Sequence, residues 1–349
     1  MGSIAMTKSR VLSVGCGGIG TMAAYTLEAG GLAEVTAVLR SNYSIVCKSG
    51  FTIDAIELGK GIKGWKPTQV LENVPNVAEE KIPPFDFIVV ATKNVPDVSP
   101  TVLDIITPAI TPGETTVVLL QNGLNIEKPI AERFPENVVL SGVTLMGATE
   151  TAKGVVRQDD TDTSKIGPFP GLKVSASRAE AAGRRFVDIY NGCGKVDCTY
   201  DDNVLYTRWR KLVYNSSFNS VAAVLGMDVI RMRMTQHVID ELVKPIMLEI
   251  KTVAKAAGAE LQDGVEDFFI MVDPPDGWFM PSMGQDAVKG NYVEMETIVG
   301  EPVREARRLG VPTPKLEAVY SLLKGQQMMT KEAKGAWKPH FAKGNPYAA

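Results

Sequence analysis

The sequence predicts a mixed α/β chain, with a parallel, doubly wound sheet in its first part and an all-helical second part. Three observations carry this: evenly spaced apolar runs in the first 200 residues, a glycine-rich turn directly after the first run, and a change to long helical patterns after Tyr200. The runs cover residues 11–14, 35–39, 85–91, 116–120 and 137–143. Short runs that are apolar throughout fit strands covered on both faces, and amphipathic stretches between them make the sheet parallel. Beyond Tyr200, helical periodicity appears over residues 206–223, 237–257, 293–309 and 314–327. Gly300 and Pro302 interrupt the third pattern, which is therefore either kinked or two helices, the second with Pro302 in its first turn. Gly258, and Gly310 followed by Pro312, end helices, and Asp-Pro-Pro-Asp-Gly at 273–277 forms a loop.

A chain of 349 residues exceeds one ordinary core, and the expected division is a sheet domain over 1–200, a helical domain over 201–330 and a tail over 331–349. The hydrophobic fraction of 45% and charged fraction of 22% are those of a globular protein, without a run long and apolar enough to span a bilayer. A net charge of -3 without a concentrated basic block argues against nucleic acid and anionic membranes as partners, and favours small-molecule chemistry. Cys16, Cys47, Cys193 and Cys198 lack CxxC spacing and read as reduced thiols of a cytoplasmic protein. No apolar segment precedes the first strand, so a cleaved secretory signal is not expected. No metal site is expected. A homodimer is a possible assembly, although the sequence points to no interface.

Gly15-Cys16-Gly17-Gly18-Ile19-Gly20 follows the first strand and opens an apolar-periodic helix, the order required of a Rossmann-type dinucleotide site. The glycines let the backbone turn sharply and bring N–H groups against a pyrophosphate at the positive end of the helix. NAD sites usually place a carboxylate about 20 residues further on; here the second strand ends in Leu39-Arg40-Ser41. Arg40 is suited to a 2′-phosphate, so NADPH/NADP+ is the expected cofactor. Lys93 and Asn122 lie in loops at the carboxyl ends of later strands, where open α/β sheets bind ligands; taken alone, Lys93 reads as a surface lysine and Asn122-Gly123 as a plain turn, and only their shared location argues otherwise.

Only His237 and His340 are present, and neither is a convincing catalytic histidine. Lys211, Asn215 and Asn219 recur every four residues, and on a helix they fall within roughly 80° of one another. That polar stripe is either a pocket wall or a solvated face. Glu294 borders a stripe formed by Met295, Ile298, Val299, Val303, Ala306 and Leu309, and is either a surface charge or a group held against a partner such as Lys211.

Taken together, GCGGIG, Lys93, Gln121-Asn122-Gly123, the Trp209 to Asn215 segment, Ser282-Met283-Gly284-Gln285-Asp286 and Glu294 resemble the ketopantoate reductase (2-dehydropantoate 2-reductase) family, over nearly the whole chain. The resemblance implies NADPH-dependent reduction of 2-dehydropantoate to pantoate, as in pantothenate biosynthesis. It makes Lys211 the general acid and Glu294 the group that positions it. Asn215 and Asn219 become substrate-orienting amides, and Ser282 the holder of the substrate carboxylate. Asn122 and Lys93 match residues near nicotinamide and substrate, and Ala148 a cofactor-contacting position. The sequence departs from the family pattern at Phe279, where some members have Asn, and at Gly226-Met227-Asp228-Val229, where some have Asn-Gly. Both changes remove an amide and suit a bulkier or less hydroxylated 2-oxo acid. A paralogue acting on another 2-oxo acid, keto ester or ketone, and a non-catalytic NADP(H) sensor, are the alternatives.

Overall fold

The structure, a computed structural model, describes residues 7–348. It forms two compact units whose boundary lies between Arg208 and Trp209, whereas the sequence places the change of character after Tyr200.

Among the described residues the first unit contains twelve strands: β1 (Ser9–Val14), β2 (Ala33–Val38), β3 (Phe51–Ala55), β4 (Gly59–Trp65), β5 (Gln69–Leu71), β6 (Phe87–Val90), β7 (Thr116–Leu119), β8 (Val139–Val143), β9 (Ala148–Ala152), β10 (Val155–Gln158), β11 (Lys165–Pro168) and β12 (Thr199–Tyr200). Eight form one sheet in the order β12-β11-β8-β7-β6-β1-β2-β5. From β5 to β8 every pairing is parallel; β11 then joins β8 antiparallel. The five apolar runs are the five central strands of this sheet. Alternate residues of one strand point to opposite faces. Val11, Phe87, Val89 and Val118 accordingly enter one core, whereas Leu12, Val14, Ile88, Val90, Val117 and Leu119 enter the other. A sheet covered on both faces has no polar side to alternate with, which is why its strands read as continuous apolar runs.

A second, four-stranded sheet runs β4-β3-β10-β9. It has no counterpart in the sequence reading. β4, Gly-Lys-Gly-Ile-Lys-Gly-Trp, is largely exposed, so neither strict alternation nor a buried run marks it.

In the second unit, the helix Val204–Tyr214, within which the boundary falls, continues through a wide turn at Asn215–Asn219 into Ser220–Leu225. That turn winds with i→i+5 bonds, as do Ile239–Val243 and Glu296–Gly300. The interruption at Gly300 and Pro302 is resolved by the last of these. The wide turn runs directly into the helix Glu301–Leu309, with Pro302 in its first turn, where a missing N–H goes unnoticed. Met295, Ile298, Val299, Val303 and Ala306 of the anticipated stripe are buried, and Leu309 is half-buried. The last helix, Pro314–Ala333, carries past the expected start of the tail at residue 331. Among the described residues no helix is long and apolar enough to cross a membrane, and no cluster of His, Cys, Asp and Glu could hold a metal ion.

Candidate active site

In the first unit the candidate cofactor residues gather at the carboxyl end of β1. The helix Gly18–Ala29 starts with Gly17 as its N-cap, without a side-chain cap and without an acidic residue in its first turn. Its leading N–H groups and positive end are left for an anion. The glycines divide the work. A Cβ on Gly20 would stand 1.8 Å from the Gly15 carbonyl oxygen, and one on Gly18 would stand 2.2 Å from the carbonyl oxygen of Ala148. Both glycines are demanded by backbone packing. A Cβ on Gly17 would meet nothing within 4 Å. The protein therefore leaves space at the glycine that a dinucleotide pyrophosphate approaches in this motif, and the residues present fit such a group.

The Cys16 side chain turns inward. Burial, with the Glu150 charge adding and the Ser13 hydroxyl opposing, pushes its thiol up to about 12, so this residue offers a ligand its backbone only. The Cys16 carbonyl accepts from Thr21 Oγ1 at 3.1 Å and from Asn42 Nδ2 at 2.9 Å, and Asn42 Nδ2 also donates to Glu150 Oε1 at 2.9 Å. Asn42 thus ties the glycine turn to β9 of the small sheet, whose first residue is Ala148. Arg40 is exposed just beyond β2.

Two further loops are locked beside this turn. Gln121 Nε2 donates to the Thr92 carbonyl at 2.6 Å and to its hydroxyl at 3.0 Å, and Thr92 lies against Gly15. Lys93, next in sequence, is exposed. The buried Arg208 guanidinium donates to the carbonyls of Gln121 (3.1 Å) and Gly123 (2.8 Å), which fixes the backbone on both sides of Asn122. It also reaches Ser141 Oγ at 2.7 and 2.9 Å and the Gly142 carbonyl, and pairs with Glu127 at 3.1 Å. Burial pulls the guanidinium below its ordinary value while Glu127 opposes this. Asn42 and Arg208 were not singled out from the sequence, and Gln121 only as part of the Gln121-Asn122-Gly123 motif. An arginine seven residues before the helical turn Asn215–Asn219 carries no local sign that it will be buried against a loop far away in sequence.

In the second unit the helix and wide turn 204–219 carry Lys211, Asn215 and Asn219. Asn215 and Asn219 are buried and Lys211 is half-buried, so this polar stripe is no solvated face. Asn219 Nδ2 lies 3.4 Å from Ser282 Oγ, a pair brought together across 63 residues. Ser216 Oγ donates to the Ile298 carbonyl at 2.7 Å, binding the stripe to the segment that begins with Glu294. Glu294 is only 4% exposed, which overturns the surface reading; a carboxylate so buried requires compensation by a cation or hydrogen-bond donors. Its neighbour Val293 is clamped by the buried Gln327, which accepts from the Val293 N–H at 3.1 Å and donates to its carbonyl at 3.2 Å. Both wide turns nearest these residues, Asn215–Asn219 and Glu296–Gly300, belong to a class of helical defect that is frequent at functional sites.

A Rossmann-type sheet with an open glycine turn, followed by a helical unit that carries the buried Asn215, Asn219 and Glu294 and the half-buried Lys211 and Ser282, defines a two-unit oxidoreductase architecture. Comparison with known proteins agrees. Residues 11–171 match the model of the ketopantoate reductase PanE/ApbA family, and residues 203–327 that of the ketopantoate reductase PanE/ApbA C terminal domain. An uncharacterized protein of Saccharomyces cerevisiae is 34% identical over 95% of this chain and 97% of its own length. The 2-dehydropantoate 2-reductase of Methylococcus capsulatus is similar in structure, with a TM-score of 0.76 and 30% identity over 92% of this chain and 97% of that one. A D-mandelate dehydrogenase, solved with NADH and anilino(oxo)acetate, shares the fold with a TM-score of 0.75 at 21% identity over 93% of this chain and 99% of that one. The chain belongs to the ketopantoate reductase family, whose members are oxidoreductases acting on CH–OH groups.

Proposed function

We propose that this protein reduces a 2-oxo acid to the 2-hydroxy acid with NADPH, 2-dehydropantoate to pantoate being the reaction of first choice. The observation that carries the proposal is the buried Glu294 on a segment pinned through Ser216 and Ile298 to the turn that continues the Lys211 helix. Such a carboxylate is expensive in a plain helical core and useful beside a proton donor. Bound NADPH supplies the hydride, becoming NADP+. The carbonyl π bond breaks, a C–H bond forms at carbon, and the oxygen takes a proton from Lys211 Nζ. A positioned ammonium favours this step twice, by stabilising developing charge on oxygen and by delivering the proton. Glu294 orients Lys211, Asn215 and Asn219 orient the substrate, and Ser282 holds its carboxylate. Gly15, Cys16, Gly17, Gly18, Ile19 and Gly20 receive the pyrophosphate through backbone N–H groups, with Ala148 alongside; Arg40 takes the 2′-phosphate, and Lys93 and Asn122 the nicotinamide end.

Phe279 favours a second reading, a family member with another 2-oxo acid as its substrate. The test is NADPH oxidation followed by absorbance with 2-dehydropantoate, pyruvate and 2-oxoisovalerate. Lys211→Ala is expected to lower kcat by about 10²- to 10⁴-fold while NADPH still binds. Undiminished turnover in this variant would remove Lys211 from the chemistry. Absence of turnover with every acid, despite tight NADPH binding, would move the protein to the sensor class.

A further inference from the structure

The loop between the helices Val265–Met271 and Ser282–Val288 is held at both ends. At its start, Asp273 accepts from the Tyr214 hydroxyl at 2.7 Å and its carbonyl accepts from Arg233 Nη1 at 2.7 Å. Near its end, the Phe279 carbonyl accepts from the Val229 N–H at 3.0 Å, and the Met280 carbonyl from Gln285 Nε2 at 2.9 Å. A loop anchored this firmly nevertheless leaves two large aromatic residues in solvent, Trp278 at 51% and Phe279 at 44% exposure. Trp278 has φ +42°, a left-handed conformation that a bulky side chain adopts only when its surroundings impose it. The Arg231 guanidinium lies 5.0 Å from the centre of its ring, and Arg231 is itself paired with Asp228, a buried carboxylate that also caps the helix Val229–Met234. The indole is thereby held on its arginine side while half of the residue stays exposed.

These aromatics immediately precede Ser282, which sits beside Asn219. Only Met280 and Pro281 separate Phe279 from Ser282, so the two lie three residue steps apart, a span of at most about 10 Å. A 2-oxo acid held by its carboxylate at Ser282 therefore places its substituent within reach of this loop. We propose that Trp278 and Phe279 form an aromatic platform that selects 2-oxo acids bearing an aromatic ring next to the carbonyl. This rests on the reading of the Lys211, Asn219 and Ser282 constellation as a 2-oxo acid site. An amide at position 279 would bind a hydroxyl on the substrate; the phenyl ring there has no polar group to offer one, and with the neighbouring indole it rewards a flat apolar surface.

Steady-state kinetics with NADPH, using phenylglyoxylate, 2-oxoisovalerate and 2-dehydropantoate as probes, test it. The wild type is expected to show a kcat/KM for phenylglyoxylate at least ~10-fold above that for either aliphatic acid. Trp278→Ala and Phe279→Asn should each erase most of that preference, mainly through KM, with less than about threefold change for 2-oxoisovalerate. Met271→Ala, which alters another exposed apolar residue of this unit, should leave the preference unchanged. Turnover of aliphatic acids with no advantage for phenylglyoxylate would overturn the platform alone. A preference that survives both aromatic substitutions, or variants that lose all substrates equally as a disturbed protein interface would, also overturns it. Failure to reduce any of the three acids would overturn this proposal together with the 2-oxo acid reading.

Discussion

Replacing Arg208 by Met tests whether the buried ion pair in the first unit holds the loop that carries Asn122. Arg208 and Glu127 lie 3.1 Å apart with side chains only 6% and 1% exposed. The substitution leaves the Glu127 carboxylate buried without its cation and removes the donors to the carbonyls of Gln121 and Gly123. Breaking a buried pair from one side costs about 3–5 kcal/mol, because the surviving charge stays desolvated. With a denaturant slope near ~3 kcal/mol/M, the urea midpoint of the first unit should fall by about 1 M or more. Removing both charges, as Arg208→Met with Glu127→Met, should recover most of that loss, since a well-packed apolar pair is often as stable as a buried salt bridge. Urea unfolding followed by circular dichroism measures all three proteins. An unchanged midpoint in the single variant, or a double variant no better than the single one, would refute the account of Arg208 as a buried and paired brace.

Three further outcomes are expected. Gly17→Ala should fold with wild-type stability yet bind NADPH more weakly, because its methyl enters space only a ligand would use, whereas Gly20→Ala should lower the melting temperature because its Cβ collides with the Gly15 carbonyl; equal melting temperatures for the two variants would contradict this. Arg40→Ser should weaken NADPH binding by about 10- to 100-fold, the worth of a hydrogen bond to a charged group, and leave NADH nearly unaffected, as read by titration of cofactor fluorescence. The Tyr190 hydroxyl donates to Asp162 at 2.6 Å, and burial first, then the Asp162 charge, raise its phenol well above 10. A raised folded value means that this contribution is complete below about pH 10 and is lost as pH climbs beyond it, since the unfolded phenol then ionises first. Tyr190→Phe should cost about 1–3 kcal/mol at neutral pH and flatten the alkaline decline in stability; a pH profile parallel to that of the wild type would count against it.

The sequence was most legible where one segment carries its own signal. The five central strands announce themselves because a strand buried on both faces must be apolar throughout. The glycine turn is legible because strand, GxGxxG and helix follow within a few residues. Lys211, Asn215 and Asn219 share a stripe by helical periodicity alone, although the wide turn at Asn215–Asn219 leaves no sign in composition. The family could be recognised from the order and spacing of its short motifs.

What the tertiary structure alone decided are the partners that lie far apart in sequence. Glu294 has the composition of a surface residue and is buried, because the Ser216 bond to Ile298 and the Gln327 clamp on Val293 draw its segment inward. Arg208 reaches across 85 residues to the Gly123 carbonyl, and Asn42 across 108 to Glu150. The small sheet passed unseen because β4 is largely exposed and glycine-rich, and β3 finds its parallel partner β10 about a hundred residues away. Periodicity records which side of an element meets the core, since burial acts on each residue locally. It does not record which distant polar group completes a hydrogen bond, because that pairing exists only once the chain has closed upon itself.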